Sequence, residues 1–303
     1  MTSAVTTTPP PPPAPATPPP LTPGGRTAVR VLLVVAASVL VIGTVAGLGV
    51  SAFGLSALRV TNDTSALPAG MRSLTIDTTG SPAMVHIVAD RNAAEPRVDL
   101  RQVDSTRSAQ AALNVVNDGA GTKVSFSGPH GAFMDWHRGG ELTVTLPPAL
   151  AQRLSVTVQQ EDGALRADAD LDQLIARMSD GAVFLSGSAR RIEIDSRDGA
   201  VVTRDPISVT ESIRVDSRDG KVGLDFKDAP PRTVDVTARD GSIAIALPAP
   251  GPYLVNASTG DRDAAAVVRV PQTSDRKAAA GVVTVRADDG DVDITTLGRG
   301  EHE

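Results

Sequence analysis

The sequence predicts an all-β fold: a β-solenoid, or right-handed β-helix-like stack, of 18–21-residue repeats, preceded by an N-terminal transmembrane helix. Three observations support this prediction. Asp-Gly pairs recur at regular intervals, aliphatic residues hold fixed positions around each pair, and a long uncharged segment lies near the N-terminus. A twisted β-sandwich of hairpins is the alternative fold, because the same alternation of side chains would permit it.

Residues 1–30 are dominated by proline, with ten of the 23 prolines of the chain before Gly24. Such a composition favours extended polyproline II structure and cannot pack a core. We therefore expect residues 1–30 to be a disordered, Pro-rich cytoplasmic tail. It would serve either as a tether or as a ligand for an aromatic-lined groove in a partner.

An uncharged run of 28 residues, Val31–Leu58, follows the tail. About 20 apolar residues are enough to cross a bilayer, and a signal peptide needs only about 7 to 15. We expect a transmembrane helix at 31–54 and a linker at 55–69; a signal peptide cleaved after Ala52 or Ala57 is the alternative. Arginines precede the run, which favours a cytoplasmic N-terminus and an exported remainder.

The remainder of the chain is acidic and lacks cysteine. Beyond Leu58 there are 27 basic residues (29 less Arg26 and Arg30) and 35 acidic residues, a net charge of −8. Nucleic-acid binding needs a basic surface and is therefore not expected. Without cysteine, neither disulfides nor a lipoprotein anchor can form, so stability must come from packing.

Residues 70–147 carry strand patterns without the Asp-Gly spacing. The segments SLTIDT, AMVHIVAD, RVDLRQV, TKVSFSG and ELTVTLP alternate or are continuously apolar. We expect a non-repeating β region here that caps the first repeat, because an open end would offer unpaired strand edges to other chains. The segment SAQAALNVVND, from Ser108, is expected to form a short helix.

Residues 148–297 contain the repeats, with six Asp-Gly pairs at intervals of 18, 18, 21, 21 and 49 residues. The residue six places before each Asp and the residue two places after each Gly are aliphatic in all twelve cases, with period-two alternation between. Each repeat is thus predicted to be strand, turn, strand. The turn residues are Asp162, Gly163, Asp180, Gly181, Asp198, Gly199, Asp219, Gly220, Asp240, Gly241, Asp289 and Gly290.

The long last interval contains YLVNASTGDRD, which has Thr259 where the Asp is expected and Arg262 where an aliphatic residue is expected. We interpret this segment as a distorted repeat or an inserted loop. Residues 298–303 form a short tail.

The chain resembles the bacterial putative-adhesin domains, a family of unknown function, in three features. They are the predicted transmembrane helix, the segment TLPPALAQRLSVTVQQEDGALRAD and the repeats with Ser-x-Asp-Gly turns. The resemblance covers roughly Thr75 to Thr296 and includes Leu146-Pro147 before the first repeat. It implies a surface β-rod and brings no catalytic residues. A fold by itself does not confer a function.

Asp198, Asp219 and Asp240 should lie in adjacent repeats if the 21-residue spacing holds. Calcium could compensate such carboxylates, but calcium-binding repeats carry more glycines in each turn. Arginines directly precede the three aspartates, so we interpret the turns as solvated and paired by Arg-Asp contacts. These arginines are Arg197, Arg218 and Arg239.

The segment GPHGAFMDWHRGG gathers Trp136, His130, His137 and Asp135. Three interpretations stay open: a tryptophan that plugs one end of the core, a binding surface, or a zinc site with nitrogen and oxygen ligands. We take the four residues as a candidate binding surface and assign no metal ligand.

Signatures of catalysis are missing: there is no Gly-x-Ser-x-Gly, His-Glu-x-x-His, phosphate loop or Cys nucleophile. We expect no enzyme activity and no cofactor. The expected function is that of a single-pass membrane protein whose exported β-repeat domain binds or scaffolds a surface or envelope protein or a glycan, as an adhesin does. Alternatives are an envelope sensor or regulator, and a carbohydrate-acting enzyme with two carboxylates about 5 to 9 Å apart.

Overall fold

The computed structural model describes residues 58–105, 112–119, 121–127, 140–260 and 264–298. Within them, 17 strands form one large mixed β-sheet, and the helix α1 (Pro148–Ala151) has four residues. The all-β prediction is therefore confirmed. No helix among these residues has the length and apolar character of a membrane span, and the predicted span at 31–54 lies outside them.

Four long strands run through the Asp-Gly pairs without interruption: β8 (Ser155–Asp168), β9 (Leu171–Ser186), β10 (Ser188–Thr203) and β11 (Ser208–Asp225). Neighbouring strands in this series are parallel, and each Asp and Gly lies opposite its equivalent in the next repeat. Each Asp-Gly pair is therefore a bend within one strand. A hairpin would instead pair its strands antiparallel.

The interior of the repeats is built from the aliphatic residues that the sequence pattern selected. All twelve are buried, and the most accessible of them, Ile192, is 5% exposed. Alternation places every second side chain on this interior face, and the side chains between them face water. These residues join the interior of the N-terminal strands in one continuous hydrophobic core.

The described residues before the repeats form seven strands: β1 (Leu58–Ala66), β2 (Ser73–Asp77), β3 (Ala83–Ala89), β4 (Arg97–Ser105), β5 (Ala112–Asn117), β6 (Gly121–Ser127) and β7 (Gly140–Leu146). Strands β2 and β3 pair in parallel with the two halves of β8, and β6 and β7 pair in parallel with β2 and β3. Antiparallel β5, β4 and β1 complete this end.

Two predictions for this region are wrong. The expected linker at 55–69 contains β1, which pairs with β4 along its whole length. β1 is a polar strand with Val60 53% exposed, so it lacks the alternation that would have revealed it. The expected helix from Ser108 is a strand over Ala112–Asn117, whose β-branched Val115 and Val116 suit pairing with β6; residues 108–111 lie outside the described residues.

The C-terminal part consists of β12 (Thr233–Asp240), β13 (Ile243–Leu247), β14 (Leu254–Thr259), β15 (Ala266–Val268), β16 (Val282–Asp289) and β17 (Val292–Thr296). Here chain order and spatial order differ: β16 and β17 lie directly beside β12 and β13, and β14 and β15 lie outside them. The irregular segment around Gly260 is thus paired as an outermost repeat. Its interior residues Val255 and Ala257 are only half-buried, so strict aliphatic spacing is not required there.

Candidate functional site

The predicted turn residues lie along one edge of the repeats in two in-register series. We call them the aspartate row and the glycine row. Parallel in-register pairing places each member beside its equivalent, about 4.8 Å away. The pairing is continuous from β8 through β9, β10, β11 and β12 to β16. The aspartate row is Asp162, Asp180, Asp198, Asp219, Asp240 and Asp289.

The glycine row explains why the bend requires glycine. Gly220 has φ +130°, a conformation that L side chains rarely adopt. A Cβ atom added there would lie 1.6 Å from the carbonyl oxygen of Gly199 in the neighbouring strand. The other five members of the row share both the positive φ and the backbone contact. The glycines therefore allow successive bends to approach closely.

The aspartate row brings like charges together. The Asp219 carboxyl is within hydrogen-bonding reach of those of Asp198 and Asp240, and these contacts, with partial loss of hydration, raise its pKa above the ordinary value. Loss of hydration and a hydrogen bond with Asp198 likewise raise the pKa of Asp180. Raised pKa values are expected wherever carboxylates must share a small space. The carboxyl groups of Asp180 and Asp219 therefore bind protons more tightly than isolated carboxyl groups do.

The arginines before these aspartates form a third series, the arginine row, made of Arg197, Arg218 and Arg239. All three are exposed. In the part of the chain that the structure describes, no ion pair within 4.0 Å joins any of them to a carboxylate. The close Arg-Asp ion pairs expected at the turns are therefore absent from the described residues, although Arg197 still attracts the Asp180 carboxylate electrostatically. In-register parallel strands set each aspartate of the row beside its equivalent and not beside an arginine.

Ion pairs form instead on other parts of the repeats, where residues of opposite charge do meet across strands. Arg190 on β10 bridges Asp172 on β9 and Glu211 on β11, each with a nitrogen to oxygen distance of 2.7 Å. His86 Nε2 lies 2.9 Å from Asp168 Oδ2, which also accepts a hydrogen bond from Arg166. The Arg190 and His86 contacts join neighbouring strands, whereas Arg166 and Asp168 both belong to β8. Ion pairs accessible to solvent contribute about 0 to 1 kcal/mol each.

A groove of about 470 Å³ lies directly before the bends; we call it the corner groove. It crosses the turn between β2 and β3 and then strands β8 to β11. All of its lining residues except Met178 are polar or charged, and they bring guanidinium groups, carboxylates, hydroxyls and amides to the groove. The residues are Thr79, Gln159, Gln160, Glu161, Arg177, Met178, Ser179, Asp195, Ser196, Arg197 and Arg218.

Gln160 is a member of this groove that the sequence analysis did not select. Its side chain is 3% exposed, and its Nε2 donates hydrogen bonds to the carbonyl oxygens of Ala83 (2.5 Å) and Asp162 (2.8 Å). The first bond joins β8 to the start of β3, and the second lies within β8. Met178 and Ser196 hold the equivalent positions in the next two repeats. Gln160 continues the inward-facing series of Val156 and Val158 on β8. A polar amide at such a position is the sequence feature that could have identified it.

The other candidate surface, Trp136, His130, His137 and Asp135, lies outside the described residues. Among the residues that are described, no group of three His, Asp or Glu side chains could hold a metal ion.

Comparisons with known proteins give structural similarity at low identity. No family model and no curated protein matches the chain, whereas nine chains of solved structures do. A "putative adhesin" from Parabacteroides merdae is 10% identical, with 79% of this chain and 97% of that chain covered and a TM-score of 0.44. A "putative cell adhesion protein" from Clostridium sporogenes is 9% identical, with 79% and 100% covered and a TM-score of 0.38.

A "putative lipid binding protein" from Parabacteroides distasonis is 10% identical, with 78% of this chain and 97% of that chain covered and a TM-score of 0.42. Similarities this distant carry no binding activity over to this chain.

The aspartate row should make stability depend on pH. A raised pKa means that the folded chain holds the proton more tightly than the unfolded chain, so this contribution to stability is present below the ordinary value of 3.8 and is lost as pH rises through the raised values. Asp219→Asn removes one repelling carboxylate. We expect it to raise the melting temperature at pH 7, and the gain to disappear as the pH approaches 4.

Asp172 provides the control of opposite sign, because the hydrogen bond from Arg190 lowers the pKa of its carboxyl. Asp172→Asn should lower the melting temperature at pH 7, with the difference shrinking only below pH 3.8. Thermal melts of the parent and both variants from pH 3 to pH 8 make the comparison. If Asp219→Asn lowered the melting temperature at pH 7, the aspartate row would not be repulsive.

Proposed function

We propose that this chain is a single-pass membrane protein whose exported β domain is a non-enzymatic binding or scaffolding module of the cell surface or envelope, comparable to an adhesin. The observation that carries the proposal is the repetition of side chains along one edge. Parallel, in-register strands place an aspartate at the same position of each step along this edge. A surface with a constant period suits an extended partner with repeated chemistry of its own.

The proposed architecture is a β-solenoid over residues 148–297, capped by residues 70–147. Parallel pairing of one repeat with the next, a glycine bend in each repeat and a continuous aliphatic interior all support it. Such a stack cannot bury the apolar face of one repeat alone, so neighbouring repeats stabilise one another. The antiparallel strands β1, β4 and β5 would then protect the N-terminal end.

The proposed anchor is the uncharged segment at 31–54, with the proline-rich residues 1–30 in the cytoplasm. The proposal rests on length, because the uncharged run of 28 residues exceeds the roughly 20 needed to cross a bilayer. It also rests on the arginines that precede the run.

A reporter that is active only outside the cytoplasm tests this topology. Fused after Glu303 it should be active, and fused after Gly25 it should be inactive. N-terminal sequencing of the mature chain should recover the proline-rich tail. A soluble product that begins after Ala52 or Ala57 would show that the apolar segment is a cleaved signal peptide.

A further inference from the structure

We propose that the corner groove binds an acidic carbohydrate, with Arg197 and Arg218 holding its anionic group and the neighbouring hydroxyl and carboxylate side chains holding its hydroxyl groups. The inference rests on the proposed function, since it names the ligand class of an exported binding module. The groove, at about 470 Å³, is within the range of roughly 300 to 1,000 Å³ that small-ligand sites occupy.

Two guanidinium groups at the groove are available to an anion. Arg197 on β10 and Arg218 on β11 each lie between two paired positions, because Ser196 pairs with Ser217 and Asp198 with Asp219. Both are exposed, and neither takes part in an ion pair of the described structure. Paired parallel strands are about 4.8 Å apart, so one carboxylate can accept hydrogen bonds from both side chains. Arginine is the residue best suited to such planar recognition.

Uncharged and acidic groups at the groove are available as well. Within the described residues, the side chains of Ser179, Ser196 and Gln159 make no hydrogen bond, and Asp195 has only a 3.7 Å contact with Arg177. Glu161 is exposed and also lines the groove. Carboxylates accept hydrogen bonds and cannot donate them when ionised. A ligand that uses all of these groups must therefore carry hydrogen-bond donors next to its negative charge, and the hydroxyl groups of an acidic sugar are such donors.

This combination separates an acidic sugar from other ligands. A simple anion such as phosphate would meet the arginines but has few O–H donors to offer to Glu161, Asp195 and the amide and hydroxyl groups. A folded protein partner would be expected to bury an apolar centre, and Met178 is the groove's single large apolar side chain. An acidic sugar supplies a carboxylate for the arginines and hydroxyls for the acidic and amide side chains.

The test is a binding titration on the full-length chain purified in detergent, with oligogalacturonate as the probe and a neutral galactose oligomer of equal length beside it. The parent should bind the acidic oligomer and not the neutral one. The double variant Arg197→Ala/Arg218→Ala should bind it at least about tenfold more weakly, since charge-assisted hydrogen bonds are lost. Arg239→Ala is the matched control: it belongs to the same arginine row but lies outside the groove lining, so it should change affinity by less than about twofold.

Three outcomes overturn the inference: no binding of the acidic oligomer, equal losses for Arg239→Ala and the double variant, or inorganic phosphate binding as tightly as the oligomer. Because the titration uses purified protein, its result does not depend on whether the domain is exported in the cell. An active reporter with no binding here would overturn the ligand assignment alone, whereas an inactive reporter after Glu303 would overturn the proposed function.

Discussion

Replacing Val222 with aspartate should destabilise the β domain by roughly 4 kcal/mol or more, because it places a charge in a dry interior without a partner. Val222 is fully buried and lies between Val201 and Ile243 on the neighbouring strands. Neither neighbour offers a hydrogen-bond donor from its side chain. Equilibrium unfolding in denaturant of the compact unit Leu58–Glu303 measures the loss.

Thr210→Asp is the control for this substitution. Thr210 lies on the same strand, β11, and is exposed, so the same new charge would be hydrated. We expect its free energy of unfolding to change by about 0.5 kcal/mol or less. If Val222→Asp were as mild as Thr210→Asp, Val222 would not face the core, and the period-two alternation that aligns the repeats would be incorrect.

Gly220→Ala should have the second largest effect, about 3 kcal/mol or more. The backbone of Gly220 has φ +130°, and the added Cβ would lie 1.6 Å from the carbonyl oxygen of Gly199. A backbone atom of the adjacent strand cannot rotate away as a flexible side chain can. The bend would have to open, which disturbs the pairing of β10 with β11. The measurement is again denaturant unfolding.

Gly223→Ala separates this effect from the loss of a glycine as such. Gly223 is also on β11, three residues further on, and a Cβ there would make an ordinary contact of 3.5 Å with the side chain of Val202. Its backbone is not in the positive-φ region. Alanine should therefore be neutral or stabilising by up to about 1 kcal/mol, because it reduces the entropy of the unfolded chain. Equal losses at both glycines would contradict the bend geometry.

The sequence by itself determined which residues of each repeat are buried and where each strand bends. Aliphatic alternation and the Asp-Gly spacing are local properties, and both Val222 and Gly220 have the roles that these patterns predicted. Strand β1 was missed for the same reason, since a polar edge strand carries no such pattern. A local pattern reports which face of a strand is apolar, because burial requires it directly.

Only the tertiary structure decided which strands become neighbours and which side chains therefore meet. At both ends the chain order is broken: β6 and β7 lie outside β2 and β3, and β14 and β15 lie outside β16 and β17. The sequence suggested that arginine and aspartate would pair at the turns, yet in-register pairing sets Asp219 beside Asp198, and Arg218 forms no ion pair among the described residues. Pairing depends on which strand edge is free when two segments far apart in the chain come together, and a short stretch of sequence does not contain that information.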